Sequence, residues 1–255
     1  MDIKFLLKKS IIKLPAFLRL SVLRNYYKYF RYSNDLRHLN KFCNSKKLSI
    51  DIGANVGKYT IFLMNLSKTV ICFEANPLVC DYLNNLFRGK NVKIINFGLG
   101  SKREKLYLKV PYAGSQMLHG LASFKNDFKN VSWKEKMVTN IKSIAVEIRP
   151  LDEFKFENIG FIKIDVEGFE EEVLLGAEKT IAKNKPNILI ELEERHHVNI
   201  YKVFEKLISM GYKGYFCYHK DLIDISNFDI NKFQVKKAPD KSKDYVNNFY
   251  FTICS

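Results

Sequence analysis

From residue 47 onward, short apolar runs alternate with amphipathic stretches whose apolar residues recur three and four apart. That pattern predicts a largely parallel sheet covered by helices on both faces. Strands are predicted at 48–51, 70–74, 92–96, 161–166 and 188–193, with helices at 57–66, 78–87, 169–182 and 197–210. Gly211 ends the last helix by its ease in the left-handed region. Two more strands, 215–218 and 248–253, read as a hairpin with a long polar excursion. Residues 106–110 alternate as an added strand, 146–149 read as another, and 150–152 start a short helix. The stretch at about 111–136 contains Gly114, Gly120 and several Asn and Ser, and is longer than usual crossover loops. It suits a binding lid or a disordered loop. No internal repeat is visible.

Before residue 47 the character differs. Residues 3–32 are helical in pattern, divided at Pro15, and Leu14, Phe17, Leu18 and Val22 give the second piece an apolar stripe. Ser33 or Asn34 is placed to cap a short helix through Leu36 and Leu39 into Cys43. The expected organisation is a basic amphipathic helical extension over 1–46 and one α/β domain over 47–255, with the loop-rich insert inside it. At 255 residues and 47% hydrophobic composition, the chain suffices for one well-buried domain with extensions and is short for two.

The formal net charge of +15 is unevenly placed: residues 1–34 hold Lys4, Lys8, Lys9, Lys13, Arg19, Arg24, Lys28 and Arg31 against Asp2 alone. A basic segment interleaved with Leu, Ile, Phe and Tyr can pack on its own domain with its charges in solvent, lie on an anionic membrane, or bind nucleic acid. Own-domain packing leads, and of the two partners an anionic membrane, met through residues 1–33, is expected before nucleic acid. No apolar span approaches about twenty residues, so no membrane-crossing helix is expected. The N-terminus resembles the start of a secretory signal, but Lys13, Arg19 and Arg24 interrupt it. The expected location is therefore the cytoplasm, at most peripheral to the inner face of the membrane. The five cysteines are scattered and form no CxxC pair, which argues against a disulfide framework and a zinc site.

The chemistry starts at Asp51-Ile52-Gly53-Ala54-Asn55-Val56-Gly57, between the first strand and the first helix. Such a loop brings free N–H groups to the carboxyl edge of the sheet, where open α/β folds bind ligands, and Gly53 and Gly57 permit close approach. With Asn55 where a dinucleotide fingerprint needs glycine, and no GxxxxGK[ST], pyrophosphate fits poorly. A nucleoside carrying a zwitterionic amino-acid tail fits better. Asp51 suits an ammonium, loop N–H groups suit a carboxylate, and Glu74, about twenty residues beyond Gly53, suits a ribose diol. The plainer alternative is that Asp51 caps only the turn and Glu74 only the next helix.

With these blocks in order, the chain resembles the FkbM family of S-adenosylmethionine-dependent methyltransferases over approximately 36–253. The likeness rests on residues 49–60 (Ser-Ile-Asp-Ile-Gly-Ala-Asn-Val-Gly-Lys-Tyr-Thr), on Phe73-Glu74-Ala75-Asn76-Pro77, and on Asn96-Phe97-Gly98-Leu99-Gly100. It continues through residues 162–170 (Ile-Lys-Ile-Asp-Val-Glu-Gly-Phe-Glu) and Val173-Leu174-Leu175-Gly176-Ala177. The resemblance implies a Rossmann-like class I methyltransferase fold, α/β, with a seven-stranded mixed sheet of order 3-2-1-4-5-7-6. It implies S-adenosylmethionine held by Asp51, Gly53, Ala54, Asn55 and Gly57 at the amino-acid end, with Tyr59 and Thr60 close behind. Glu74 is implied at the ribose, Ala75, Asn76 and Pro77 beside the adenosine, and Asn96 with Gly98 on the adenine side. It also implies O-methylation of sugar or glycan hydroxyls, though no residue by itself identifies a sugar.

Methyl transfer to a hydroxyl needs alignment and a route for the proton. Strand alternation puts Lys163 and Asp165 on one face, and Glu167 at the rim of the next turn. Asp165 or Glu167 is a candidate base, or both hold a divalent cation, with Glu191, Glu193 and His196 at the next strand end as further ligands. Asp165, Glu167 and Gly168 alternatively only shape the turn. Either His196 or His197 is a site candidate, Gln116 and His119 are candidate acceptor contacts, and Trp133 suits stacking on a sugar or anchoring the insert. Two rival functions stand: an RNA ribose methyltransferase, prompted by the net charge and Lys163-x-Asp165, and a non-catalytic cofactor-binding scaffold.

Overall fold

The computed structural model describes residues 14, 16–30, 34–125, 138–196, 198–236 and 244–253. In chain order the elements are α1 (Ala16–Phe30), α2 (Leu39–Phe42), β1 (Leu48–Ile52), α3 (Lys58–Leu63), β2 (Thr69–Phe73), α4 (Pro77–Leu86), β3 (Val92–Ile95) and β4 (Gly98–Leu99). They continue as β5 (Glu104–Ala113), β6 (Gln116–Met117), β7 (Asn140–Arg149), β8 (Ile159–Ile164), α5 (Glu170–Leu175), α6 (Glu178–Asn184) and β9 (Asn187–Glu191). The last are α7 (Ile200–Ser209), β10 (Tyr212–Tyr218), β11 (Asp221–Asp224) and β12 (Asn248–Ile253). Trp133, His197 and residues 1–13 lie outside the described residues.

The main sheet runs β11-β10-β12-β9-β8-β1-β2-β3, with β12 antiparallel to both its neighbours. Because strand residues alternate, the sheet splits the core in two. Ile50, Ile52, Phe73, Ile162, Ile164 and Ile190 face α5 to α7, whereas Val70, Cys72, Phe161, Leu189 and Tyr250 face α1, α3 and α4. The expected seven-stranded sheet of order 3-2-1-4-5-7-6 is corrected: there are eight strands, because β11 pairs back on β10 (Tyr215 with Asp224, Tyr218 with Asp221). The excursion that looked polar buries Ile225, Phe228 and Phe233, which is what holds that extra edge strand in place.

The two strands foreseen at 106–110 and 146–149 are each ten residues long and pair from Glu104–Ile148 to Tyr112–Asn140. With β4 and β6 they form a second, four-stranded sheet, so 111–125 is only partly loop. The single helix expected at 169–182 is two, broken at Gly176, whose backbone lies so close to Gly100 that a Cβ would sit 1.9 Å from the Gly100 carbonyl oxygen. Asp152 restarts the chain as α6 by accepting from the N–H groups of Lys179 and Thr180.

The described residues before β1 pack on the domain. Leu20, Leu23, Tyr26 and Tyr27 of α1 are buried with α3 and α4, and Phe42 stacks on Tyr250 at 4.1 Å. Buried Asp35 takes the Tyr59 hydroxyl proton donation at 2.6 Å, and its carbonyl accepts from Tyr250 at 2.8 Å. Cys72, Cys80 and Cys217 are buried and free, as small apolar fillers would be.

Candidate active site

An open cleft of about 740 Å³ lies at the carboxyl ends of β1, β2, β8 and β9. Its floor depends on close strand approach. Gly53 has φ +76°, and a Cβ there would lie 1.9 Å from the carbonyl oxygen of Asp165 on the neighbouring strand end. Asn55 follows with φ +49°, a conformation asparagine tolerates better than most residues. That turn aims its N–H at Oε2 of Glu74, 2.8 Å away, while the Asn76 N–H meets Oε1 at 2.8 Å. Burial pushes the Glu74 carboxyl up and these two N–H groups pull it back. Each Glu74 oxygen thus has a fixed direction and a remaining lone pair.

Gly53, Asn55, Glu74, Ala75, Gly98 and His119 line the cleft, as do Asp165, Glu167 and Glu191. The other expected donor-side residues sit behind it. Asp51 is almost fully buried and accepts from the Thr60 hydroxyl at 2.6 Å; with little water near it, its carboxyl is pushed up to about 6. Ala54 and Tyr59 are buried, and Gly57 is required by Phe87, whose Cε2 would lie 2.8 Å from an added Cβ. Asn76 uses its side chain to cap α4 through Leu78, and Asn96 uses its amide to hold the carbonyls of Glu74 and Ala75. Gln116 is exposed on β6 and is not among the lining residues.

The acid end is organised around a buried cation. Lys163 is fully buried on β8, with Nζ 3.9 Å from both Asp165 Oδ2 and Glu191 Oε2, 3.1 Å from Asn248 Oδ1, and above the Tyr59 ring at 4.8 Å. This alters the metal expectation for Asp165, Glu191 and Glu193. Among the described residues no three His, Cys, Asp or Glu side chains are gathered to hold a metal ion, and lysine already supplies positive charge between two of these acids. Glu193 instead pairs with Arg195 and accepts from Asn247, whose amide also reaches Glu191 at 2.6 Å.

Glu167 stands at φ +50°, a strained position for a long side chain. Its carboxylate lies 3.3 Å from His196 Nε2 and 3.8 Å from Arg195 Nη2, and its carbonyl accepts from Ser123 at 2.8 Å. Burial, then Asp165 and Glu193, push its carboxyl well above the usual carboxylate range, and Arg195 opposes them. Glu170 braces the turn from below, accepting from the N–H of Gly168 at 3.0 Å. Glu170 thus serves the start of α5, while the Glu167 side chain reaches the cleft.

Sequence reasoning missed the apolar lining, Phe97, Leu108 and Phe124, and the amides Asn247 and Asn248. Phe97 carried a signal: an aromatic in a short loop after a strand, here held against Arg149 at 4.0 Å. Two amides opening an otherwise apolar strand were a second signal.

Comparison with known proteins places this geometry. Residues 51–215 match the Methyltransferase FkbM domain family. A solved FkbM methyltransferase from Methylobacillus flagellatus KT is similar over 82% of this chain at 16% identity and TM-score 0.51, and the match spans 44% of that protein. An rRNA methylase from Streptococcus thermophilus (12% identity, 85% of this chain, 91% of that one, TM-score 0.43) is also similar. So is a TehB-like SAM-dependent methyltransferase from Corynebacterium glutamicum (11%, 92%, 99%, TM-score 0.43). No curated protein matches. The family match covers well over half of the chain and includes both the Gly53 loop and the acid end, so the chain belongs to the FkbM family of S-adenosylmethionine-dependent methyltransferases.

Proposed function

We propose that this chain is a cytoplasmic O-methyltransferase acting on a hydroxyl of an uncharged sugar or glycan. The observation that carries the reading is Glu74, pinned by two backbone N–H groups at one end of a cleft whose other end gathers Asp165, Glu167 and Glu191. The donor set suits S-adenosylmethionine: a fixed carboxylate for a ribose diol, the apolar Phe97, Leu108 and Phe124 for an adenine, and acids near Lys163 for an ammonium. Gly53, Asn55, Ala75 and Gly98 let the backbone close around it. Asp51 and Thr60 brace the loop from beneath, as do Ala54, Gly57, Tyr59, Asn76 and Asn96 through the contacts described above. Bound there, S-adenosylmethionine supplies a methyl group on a sulfonium, open to in-line displacement by an oxygen.

Glu167 takes the proton that the acceptor hydroxyl gives up, its carboxylate made more basic by burial and by Asp165 and Glu193. His196 and Arg195 orient its carboxylate, and Lys163 fixes Asp165 and Glu191. His119, which lines the same cleft, contacts the acceptor in this reading. Carboxyl groups at this end can hydrogen-bond the hydroxyls of a neutral polyol, and no lysine or arginine among the described lining residues is there to meet an acidic sugar or a phosphate. The test is transfer of labelled methyl to fractionated glycans, lipids and RNA from the source cell. Incorporation into carbohydrate as an ether is expected. Label in RNA alone would replace this reading by ribose methylation, and no transfer despite cofactor binding would leave a scaffold.

A further inference from the structure

We propose that the outer face of α1 docks on an anionic phospholipid surface. The inner face of this helix is committed, since Leu20, Leu23, Tyr26 and Tyr27 are buried against the domain. At 3.6 residues per turn, Leu18, Val22, Asn25 and Tyr29 share the opposite face. They do not shelter there: Leu18 is 41% exposed, Val22 36% and Tyr29 70%, three of the large apolar side chains that the described residues leave in solvent. A helix made only to pack on its domain has no need of that second stripe.

Charge decides the occupant. Arg24 and Lys28 are exposed beside the stripe, and α1 contains no acid. The adjoining sequence adds Lys4, Lys8, Lys9, Lys13 and Arg31, with Asp2 as the one acid before Asp35. Apolar side chains flanked by cations of one sign match the acyl boundary and the anionic headgroups of a membrane interface. The tyrosine at the end of the stripe suits the headgroup level. No helix among the described residues is long and apolar enough to cross a membrane, so the contact is with a surface.

The experiment is flotation of the full chain with vesicles of phosphatidylcholine containing about 30% phosphatidylserine, against phosphatidylcholine alone, at two salt concentrations. Binding is expected only with the anionic lipid, weakening as salt rises. L18S/V22S/Y29S is expected to weaken it at least tenfold. R24Q/K28Q is expected to do likewise, since each cation near the surface changes partitioning roughly fivefold. All five positions are exposed, so both variants should keep the melting temperature of the parent. The proposal is overturned if the full chain does not float, floats equally on neutral vesicles, or floats unchanged in the triple variant. Retention on RNA without flotation overturns it in favour of nucleic acid. A dimer in sedimentation that the triple variant abolishes, again without flotation, overturns it in favour of a second copy.

Discussion

Gly53→Ala should leave a chain whose labelled-methyl transfer is about a hundredfold down or lost, because a small misplacement of reacting groups costs that much. The added Cβ meets the Asp165 carbonyl oxygen at 1.9 Å and its carbon at 2.9 Å, both backbone atoms that cannot rotate away. Relief must separate the ends of β1 and β8, yet the Asp165 N–H donates to Ile52 at 3.0 Å and so ties those ends together. Left-handed strain at φ +76° adds to the overlap, and the two together cost about 3 kcal/mol of stability. Gly114→Ala separates the causes. It also has positive φ, +59°, but nothing lies within 4 Å, so it should lose about 1 kcal/mol and keep activity. Thermal melts and initial rates on both variants measure the difference; equal rates would show that the contact at Gly53 does not set the cleft.

Glu167→Gln should lower kcat by roughly 10²–10⁴-fold with little change in KM, the ordinary worth of a positioned base. The amide keeps the shape and the contact with Arg195 loosens, so folding should survive. The parent enzyme supplies a second signature. A base acts when deprotonated, so kcat should rise with pH through the Glu167 pKa, above the usual carboxylate range. Asp165 is one cause of that elevation, and Asp165→Asn should therefore move the acid limb to lower pH. A limb that stays put in Asp165→Asn while Glu167→Gln remains active would remove Glu167 from the role.

The sequence made the alternation of strands and helices legible because helix and strand periods are local. It also placed Gly53, Asn55 and Glu74, since a glycine turn after a strand and an acid ending the next strand are short-range signals. What it hid depended on distant partners. Asp51 sits at the right strand end, but alternation turns it toward Thr60 and α3, away from the cleft. Lys163 looked like part of a ribose-methylating set, and only the packing of β12 beside β9 shows that Asn248 and two acids surround it. The first half of β7 escaped notice because Asn140–Ser143 are exposed and bury no apolar face. Gly176 looked like an ordinary helix residue until its approach to Gly100 was visible.

The residues of β1 and β2 that were expected to act together do so through one carboxylate. Asn55 and Asn76 spend their backbone N–H groups on Glu74, so the loop after β1 and the start of α4 are set by the same side chain that faces the cleft. Cofactor binding therefore rests on Glu74. Calorimetric titration of S-adenosylmethionine into the parent and into Glu74→Gln, at matched melting temperature, tests it most directly. Binding to the parent, with affinity about ten- to hundredfold weaker in Glu74→Gln, is the expected result, the usual loss for a hydrogen-bonded charged group. Equal affinity in the two proteins, or none in the parent, would contradict it.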